Sequence, residues 1–125
     1  MAKILIVDDS ALSRRLLRRI VESAGHQVIE APDGVVALES YFLERPDLVM
    51  LDLTMTGMYG LDVLTKLREL DPAARVIMAS ADIQSATREL SLQGGACDFI
   101  NKPFVPAQVL PAIVAALTPT PRGNA

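Results

Sequence analysis

This chain has one cysteine, one histidine and no excess of basic residues, and each shortage removes a class of function. Cys97 alone cannot close an intramolecular disulfide, and with His26 as the sole imidazole a Cys/His zinc centre cannot be assembled. Cys97 therefore reads as a small buried hydrophobe, and His26, directly after Gly25, as a surface residue. Twelve Lys and Arg stand against fifteen Asp and Glu, a formal charge of -3, without the basic stripe that general nucleic-acid binding requires. No apolar stretch approaches the length of a membrane span, and the run before Asp8 is too short for a signal peptide. The expectation is a soluble cytoplasmic protein whose 125 residues, half of them hydrophobic, fill one core.

What is present is a set of short apolar runs that stop at polar residues. Leu48-Val49-Met50-Leu51 carries no charge and ends at Asp52, the pattern of a strand buried on both faces of a parallel sheet. Its carboxylate would stand at the sheet's rim, where open α/β folds bind ligands. Ile4–Val7 closes on Asp8-Asp9, Gln27–Glu30 forms a short second strand, Val76–Ala79 closes on Ser80, and Ala96–Ile100 closes on Asn101-Lys102-Pro103.

Helical patterns fill the intervals. Leu12, Leu16, Ile20 and Ala24 recur every four residues behind Ser10, a good N-cap, with Arg14, Arg15, Arg18 and Arg19 on the opposite side. Gly25 ends that helix in a left-handed turn. Asp33 caps a second helix with Val35, Leu38 and Phe42 inward, and Pro46 breaks the chain before the next strand. Thr56–Gly60 is a loop, followed by a helix with Leu61, Leu64, Leu67 and Leu70, ended by Asp71-Pro72. A fourth helix is expected from about Ile83 to Leu92, stopped by Gly94-Gly95. The fifth carries Val109, Ile113, Val114 and Leu117, and either begins near Pro111 or is kinked there. Residues 1–118 make one domain and 119–125 a flexible tail. Strict alternation of five strands with five helices implies a doubly wound parallel sheet with right-handed crossovers.

In such a sheet the strand ends share one edge. Asp8, Asp9, Asp52, Ser80 and Lys102 therefore converge although they are far apart in sequence. Three packed carboxylates repel one another, and a divalent cation relieves them. Oxygen-only donors select a hard ion, and Mg²⁺ takes only one or two carboxylates beside water and phosphate oxygens. A spare carboxylate oxygen could then attack phosphorus and form an acyl phosphate, with an ammonium and a hydroxyl to stabilise the remaining oxygens.

Asp8-Asp9, Asp52, Ser80 and Lys102-Pro103, together with Leu53-x-Met55 and Gly57-Met58-x-Gly60, resemble the receiver domains of response regulators in bacterial two-component signalling over about Lys3 to Leu117. That resemblance implies a flavodoxin-like sheet of strand order 2-1-3-4-5 with five helices. It implies that Asp52 accepts a phosphoryl group from a histidine kinase or phosphotransfer protein. Mg²⁺ would be held by Asp8, Asp9, Asp52 and the backbone carbonyl of Thr54. Lys102 would pair with the phosphoryl group and Ser80 would move toward it, with Phe99 as the aromatic that turns inward. Thr54 and Asp82 occupy positions that tune dephosphorylation. The protein is then a phosphoacceptor that assists its own Mg²⁺-dependent chemistry, not an enzyme. Its added charge would shift the face built from the fourth helix, fifth strand and fifth helix toward binding an unknown output protein, with no membrane or nucleic-acid partner. Departures are Thr56 for the usual proline, Tyr59 for an acid, Ser80 for threonine, and Phe99, which lacks a phenol.

The arginines after Asp9 could border the surface where the phosphodonor docks, and reversal of Arg14 and Arg18 would test that. Alternatives are a receiver cut from a longer transcriptional or enzymatic regulator, and an aspartyl-phosphate phosphohydrolase. The hydrolase would want a second Asp where Thr54 stands, and a cap domain. A nucleotide or flavin module is disfavoured because Asp8-Asp9-Ser10-Ala11 is acidic and glycine-free.

Overall fold

Each apolar run forms a strand in the computed structural model, which describes residues 1–55, 59–81 and 85–118. Along these residues β1 (Lys3–Val7), β2 (Gln27–Ala31), β3 (Leu48–Asp52), β4 (Val76–Ser80) and β5 (Asp98–Asn101) alternate with α1 (Ala11–Ser23), α2 (Gly34–Glu44), α3 (Gly60–Leu70), α4 (Ser85–Gln93) and α5 (Pro106–Leu117). The strands pair in parallel in the order β2-β1-β3-β4-β5, as the resemblance implied.

Side-chain alternation along each strand feeds two cores. Leu5, Val7, Val49, Leu51 and Met78 pack with Ala37, Tyr41, Val63, Leu64 and Leu67 of α2 and α3. Ile4, Ile6, Leu48, Met50 and Ile77 pack with Leu17, Val21, Val109 and Ile113 of α1 and α5. Both faces of β3 and β4 are buried throughout, which is why their sequences read as unbroken apolar runs.

Local signals hold where they rest on backbone chemistry. The Ser10 hydroxyl accepts the Ser13 N–H at 3.2 Å, and Asp33 Oδ1 accepts that of Val36 at 2.9 Å, so both N-caps form as expected. Gly25 takes φ +89° beyond α1.

The helix faces differ from the sequence reading. On α1 the buried residues are Leu17 and Val21, whereas Leu12 is 62 % and Leu16 44 % exposed. A strict four-residue repeat slides about 40° round a helix per step, so Leu12 and Leu16 begin off the line of contact. On α2, Gly34, Ala37 and Tyr41 are buried, while Val35 and Phe42 are exposed and Leu38 is half-buried. The small residues let the helix approach the sheet, and the Tyr41 hydroxyl reaches Asp71 Oδ2 at 2.7 Å. Leu70 and Val114 are likewise exposed, whereas Val63 and Ala112 are buried. The fifth helix does not begin near Pro111: Pro106 takes the first turn, and Pro111 lies inside with its ring on the exposed side.

Cys97 is exposed, contrary to expectation. It lies just before β5, which begins two residues later than the sequence suggested, and opens into a cleft lined by Arg75 and Ala115. His26 is half-buried, and its Nδ1 accepts the Ala2 N–H at 3.1 Å. The expectations for Thr56, Gly57, Met58, Asp82, Ile83 and the 119–125 tail lie outside the described residues.

Candidate functional site

The parallel register brings the strand ends to one rim. Asp52 closes β3 beside Ala79, Ser80 closes β4 beside Asn101, and the Lys102 N–H donates to the Ser80 carbonyl at 2.9 Å. Asp8 follows β1, and its N–H donates to the Ala31 carbonyl at 3.2 Å.

The side chains meet there. Lys102 Nζ lies 2.8 Å from Asp8 Oδ2 and 3.2 Å from Asp52 Oδ1. Carboxylate oxygens of Asp8, Asp9 and Asp52 lie within 4.8 Å of one another. Asp8 and Asp52 are buried, whereas Asp9 is exposed. Ser80 is buried on the same rim. Phe99 is 3 % exposed and stands in the core beside Met78. Thr54 lies two residues past Asp52 and is exposed.

Three carboxylates face one ammonium, so negative charge is in excess. Burial, then the charge of Asp8, push Asp52 up to about 6, although Lys102 pulls the other way. Burial would lower the Lys102 pKa, but its hydrogen bond to Asp8 and the charge of Asp52 outweigh that and raise it, so it remains an ammonium. This donor set fits a hard divalent cation: the donors are all oxygen, they are close together, and one added cation would relieve the repulsion that lifts Asp52.

Two supporting features were missed in the sequence. Gly60, expected in the loop, is the first residue of α3, and its N–H donates to the Leu53 carbonyl at 2.7 Å. A Cβ there would clash with the Asp52 carbonyl and lie 2.7 Å from Leu53 Cα, so only glycine lets α3 seat against the end of β3. Gly60 stands in the Gly57-Met58-x-Gly60 stretch that carries the resemblance, but its close approach to β3 is a contact the sequence does not spell out.

The second feature is an ion-pair chain behind Asp8. Arg14 Nη1 donates to the Asp8 carbonyl at 2.6 Å and its Nε to Glu30 Oε1 at 2.9 Å. Arg18 donates to Glu30 Oε2 at 2.7 Å and to Glu22 Oε2 at 3.0 Å. The Arg18 hydrogen bond, working against burial and helped by Arg14, holds Glu30 below the ordinary carboxylate range. Arg14 and Arg18 are thus engaged internally, while Arg15 and Arg19 are exposed and make no ion pair among the described residues. Nothing in the spacing of Arg14 and Glu30 advertises their contact.

The sequence profile of the response regulator receiver domain matches residues 4–114. The chain belongs to the response regulator receiver family. The receiver is 41 % identical over 112 residues to the chemotaxis protein CheY of Thermotoga maritima, covering 89 % of this chain and 93 % of that one. Among solved structures it resembles Vibrio cholerae chemotaxis protein CheY4, with a TM-score of 0.88 and 28 % identity over 94 % of this chain and 99 % of that one. It also resembles NtrX from Brucella abortus, with a TM-score of 0.88 and 33 % identity; there it covers 93 % of this chain but only 27 % of the other. Receivers of this kind are signalling proteins of two-component systems rather than enzymes in the ordinary sense. No helix among the described residues is long and apolar enough to cross a membrane.

Proposed function

We propose that this receiver is a phosphorylation-dependent switch in which Asp52 accepts a phosphoryl group from a histidine kinase or phosphotransfer protein. The observation that carries this reading is the Lys102 ammonium held between Asp8 and Asp52 with Asp9 alongside. An Asp52 oxygen attacks phosphorus and forms the new O–P bond. The donor's N–P bond breaks, and its electron pair returns to the imidazole, which takes a proton from solvent. Asp8, Asp9, Asp52 and the Thr54 carbonyl are the groups that would hold Mg²⁺. The cation supplies neutralisation of charge on the phosphoryl oxygens. Lys102 pairs with an oxygen of the transferred group and the Ser80 hydroxyl donates to another. Thr54 and Asp82 tune the lifetime of the acyl phosphate.

The donor docks on the side of α1 that leads away from Asp9. Leu12 and Leu16 are exposed there beside Arg15 and Arg19, a surface suited to an acidic, partly apolar helix. Reversing Arg15 and Arg19 to Glu should slow transfer from the kinase and leave labelling by a small acyl phosphate unchanged. Reversing Arg14 and Arg18 instead would break the chain behind Asp8 and confound the result.

Output follows from the phosphoryl group's added charge, roughly -1.5 to -2, as Ser80 moves; Phe99, expected to turn inward with it, is already 3 % exposed, so the movement is assigned to Ser80. The responding surface is α4–β5–α5, where Leu90 and Val114 are exposed and available to a partner protein. A second reading, a receiver belonging to a longer regulator, is favoured by the NtrX match, in which the receiver is a minor part of the chain.

The test is incubation with Mg²⁺ and a small acyl phosphate. Acid-stable, base-labile phosphate on Asp52, absent from Asp52→Asn and abolished by chelation, is expected. A protein that takes up no label with donor and metal present would overturn the reading.

A further inference from the structure

The Asp8 side chain is held from two directions, by the Ser10 N–H on Oδ1 at 2.9 Å and by Lys102 on Oδ2 at 2.8 Å. Both contacts are made by the carboxylate; the Asp8 carbonyl, which begins the peptide leading to Asp9, has a partner of its own. Because a peptide unit is planar, holding the Asp8 carbonyl also holds the Asp9 N–H and Cα, and so narrows where the Asp9 side chain can leave the backbone. Among the described residues, the side chain that donates to that carbonyl is Arg14, at 2.6 Å.

Arg14 is itself aimed. Glu30 points from β2 toward α1, on the same side of the sheet as Val28, which packs in the α1–α5 core. One Glu30 oxygen takes Arg14 and the other takes Arg18 one turn along α1. The Arg14 side chain is 18 % exposed, so this pair is better held than a surface ion pair.

We propose that Arg14 is the positioning residue of the acidic corner: aimed by Glu30, it fixes the Asp8 carbonyl and thereby turns Asp9 toward Asp52. This rests on the reading of Asp8, Asp9 and Asp52 as the cation site. It touches neither cation nor phosphoryl group and acts through the backbone.

Electrostatics and positioning predict opposite signs here. Removing a cation beside three carboxylates would tighten Mg²⁺ binding if charge alone mattered. Losing the carbonyl's partner lets the Asp8–Asp9 peptide tilt and weakens binding, by about the tenfold typical of groups that orient metal ligands. Mg²⁺ titration by calorimetry should therefore give about tenfold weaker binding for Arg14→Ala. Glu30→Gln should lose less in the same direction, Arg14→Lys should recover part, and the exposed Lys66→Ala should match the parent. In chelator, hydrogen exchange of the Ser10 amide should rise about tenfold in Arg14→Ala, with the amides of α5 unchanged. If Arg14→Ala does not fold, Arg14→Lys, which keeps the charge and changes only the geometry, carries both comparisons. Binding that is unchanged or tighter, or exchange at Ser10 that does not change, overturns the proposal. A parent chain that binds no Mg²⁺ would instead sink the cation-site reading, and the metal-free exchange would still decide the role of Arg14.

Discussion

Asp52 occupies a position that costs the folded chain stability. It is 5 % exposed and faces Asp8, with one ammonium to offset them. An acid whose pKa rises from 3.8 to about 6 on folding binds more protons folded than unfolded between those values. Stability therefore falls as pH rises through that window, and the deficit is complete above it. At ~1.4 kcal/mol per unit the deficit is on the order of 2–3 kcal/mol near neutrality. Asp52→Asn keeps the shape and removes the ionisation. In chelator at pH 7.5 the variant should melt several degrees above the parent, and at pH 4 the two should converge. Equal melting temperatures at both pH values would show that Asp52 is not strained by its neighbours. The stored repulsion is what a bound cation, or chemistry that consumes the charge, can release.

Elements place that carboxylate, and their fit depends on backbone contacts that side-chain patterning does not reveal. Gly60→Ala pushes a Cβ against the Asp52 carbonyl and to 2.8 Å from the Leu53 carbonyl, atoms that cannot rotate away. The loss should be roughly 1–3 kcal/mol, accompanied by slower phosphorylation by a small donor, because the end of β3 shifts with it. Gly25→Ala is the comparison: nothing lies within 4 Å, and only the φ of +89° is strained. It should cost about 1 kcal/mol and leave phosphorylation unchanged, as measured by melting and by initial labelling rate. The same contrast explains what was readable beforehand. Strands buried on both faces write themselves as apolar runs, so β1, β3 and β4 and the residues that end them could be found directly. Helix faces could not: α2 is apolar nearly all round, and the four-residue stripe of α1 drifts off its own contact line. Cys97 departs from the burial its residue type suggests because it lies one position before the edge strand β5. The Arg14–Glu30 pair joins residues sixteen apart, on elements whose contact only the folded sheet creates.

At the scale of the whole molecule, two cores clamp the sheet from both sides while its carboxyl edge carries unbalanced charge. The cores tolerate that imbalance, because burying each Leu, Ile or Val side chain contributes about 1.5–3 kcal/mol and the apolar strands supply many. The edge is then the place where a ligand can couple to global stability. A cation that binds only the folded chain stabilises it by RT ln(1 + [L]/Kd), about 1.4 kcal/mol when free metal is tenfold above Kd. Mg²⁺ should accordingly raise the melting temperature by a few degrees at pH 7.5. It should do so much less at pH 5, where Asp52 is largely protonated and competes as a neutral group. Chelator should reverse the gain. Asp52→Asn should lose most of it while starting from a higher melting temperature, so the two curves should approach each other as Mg²⁺ is added. NaCl at matched ionic strength separates a built site from general screening, which would act on both proteins alike. A Mg²⁺ shift of equal size in parent and Asp52→Asn would place the ion elsewhere on the acidic surface and detach stability from Asp52.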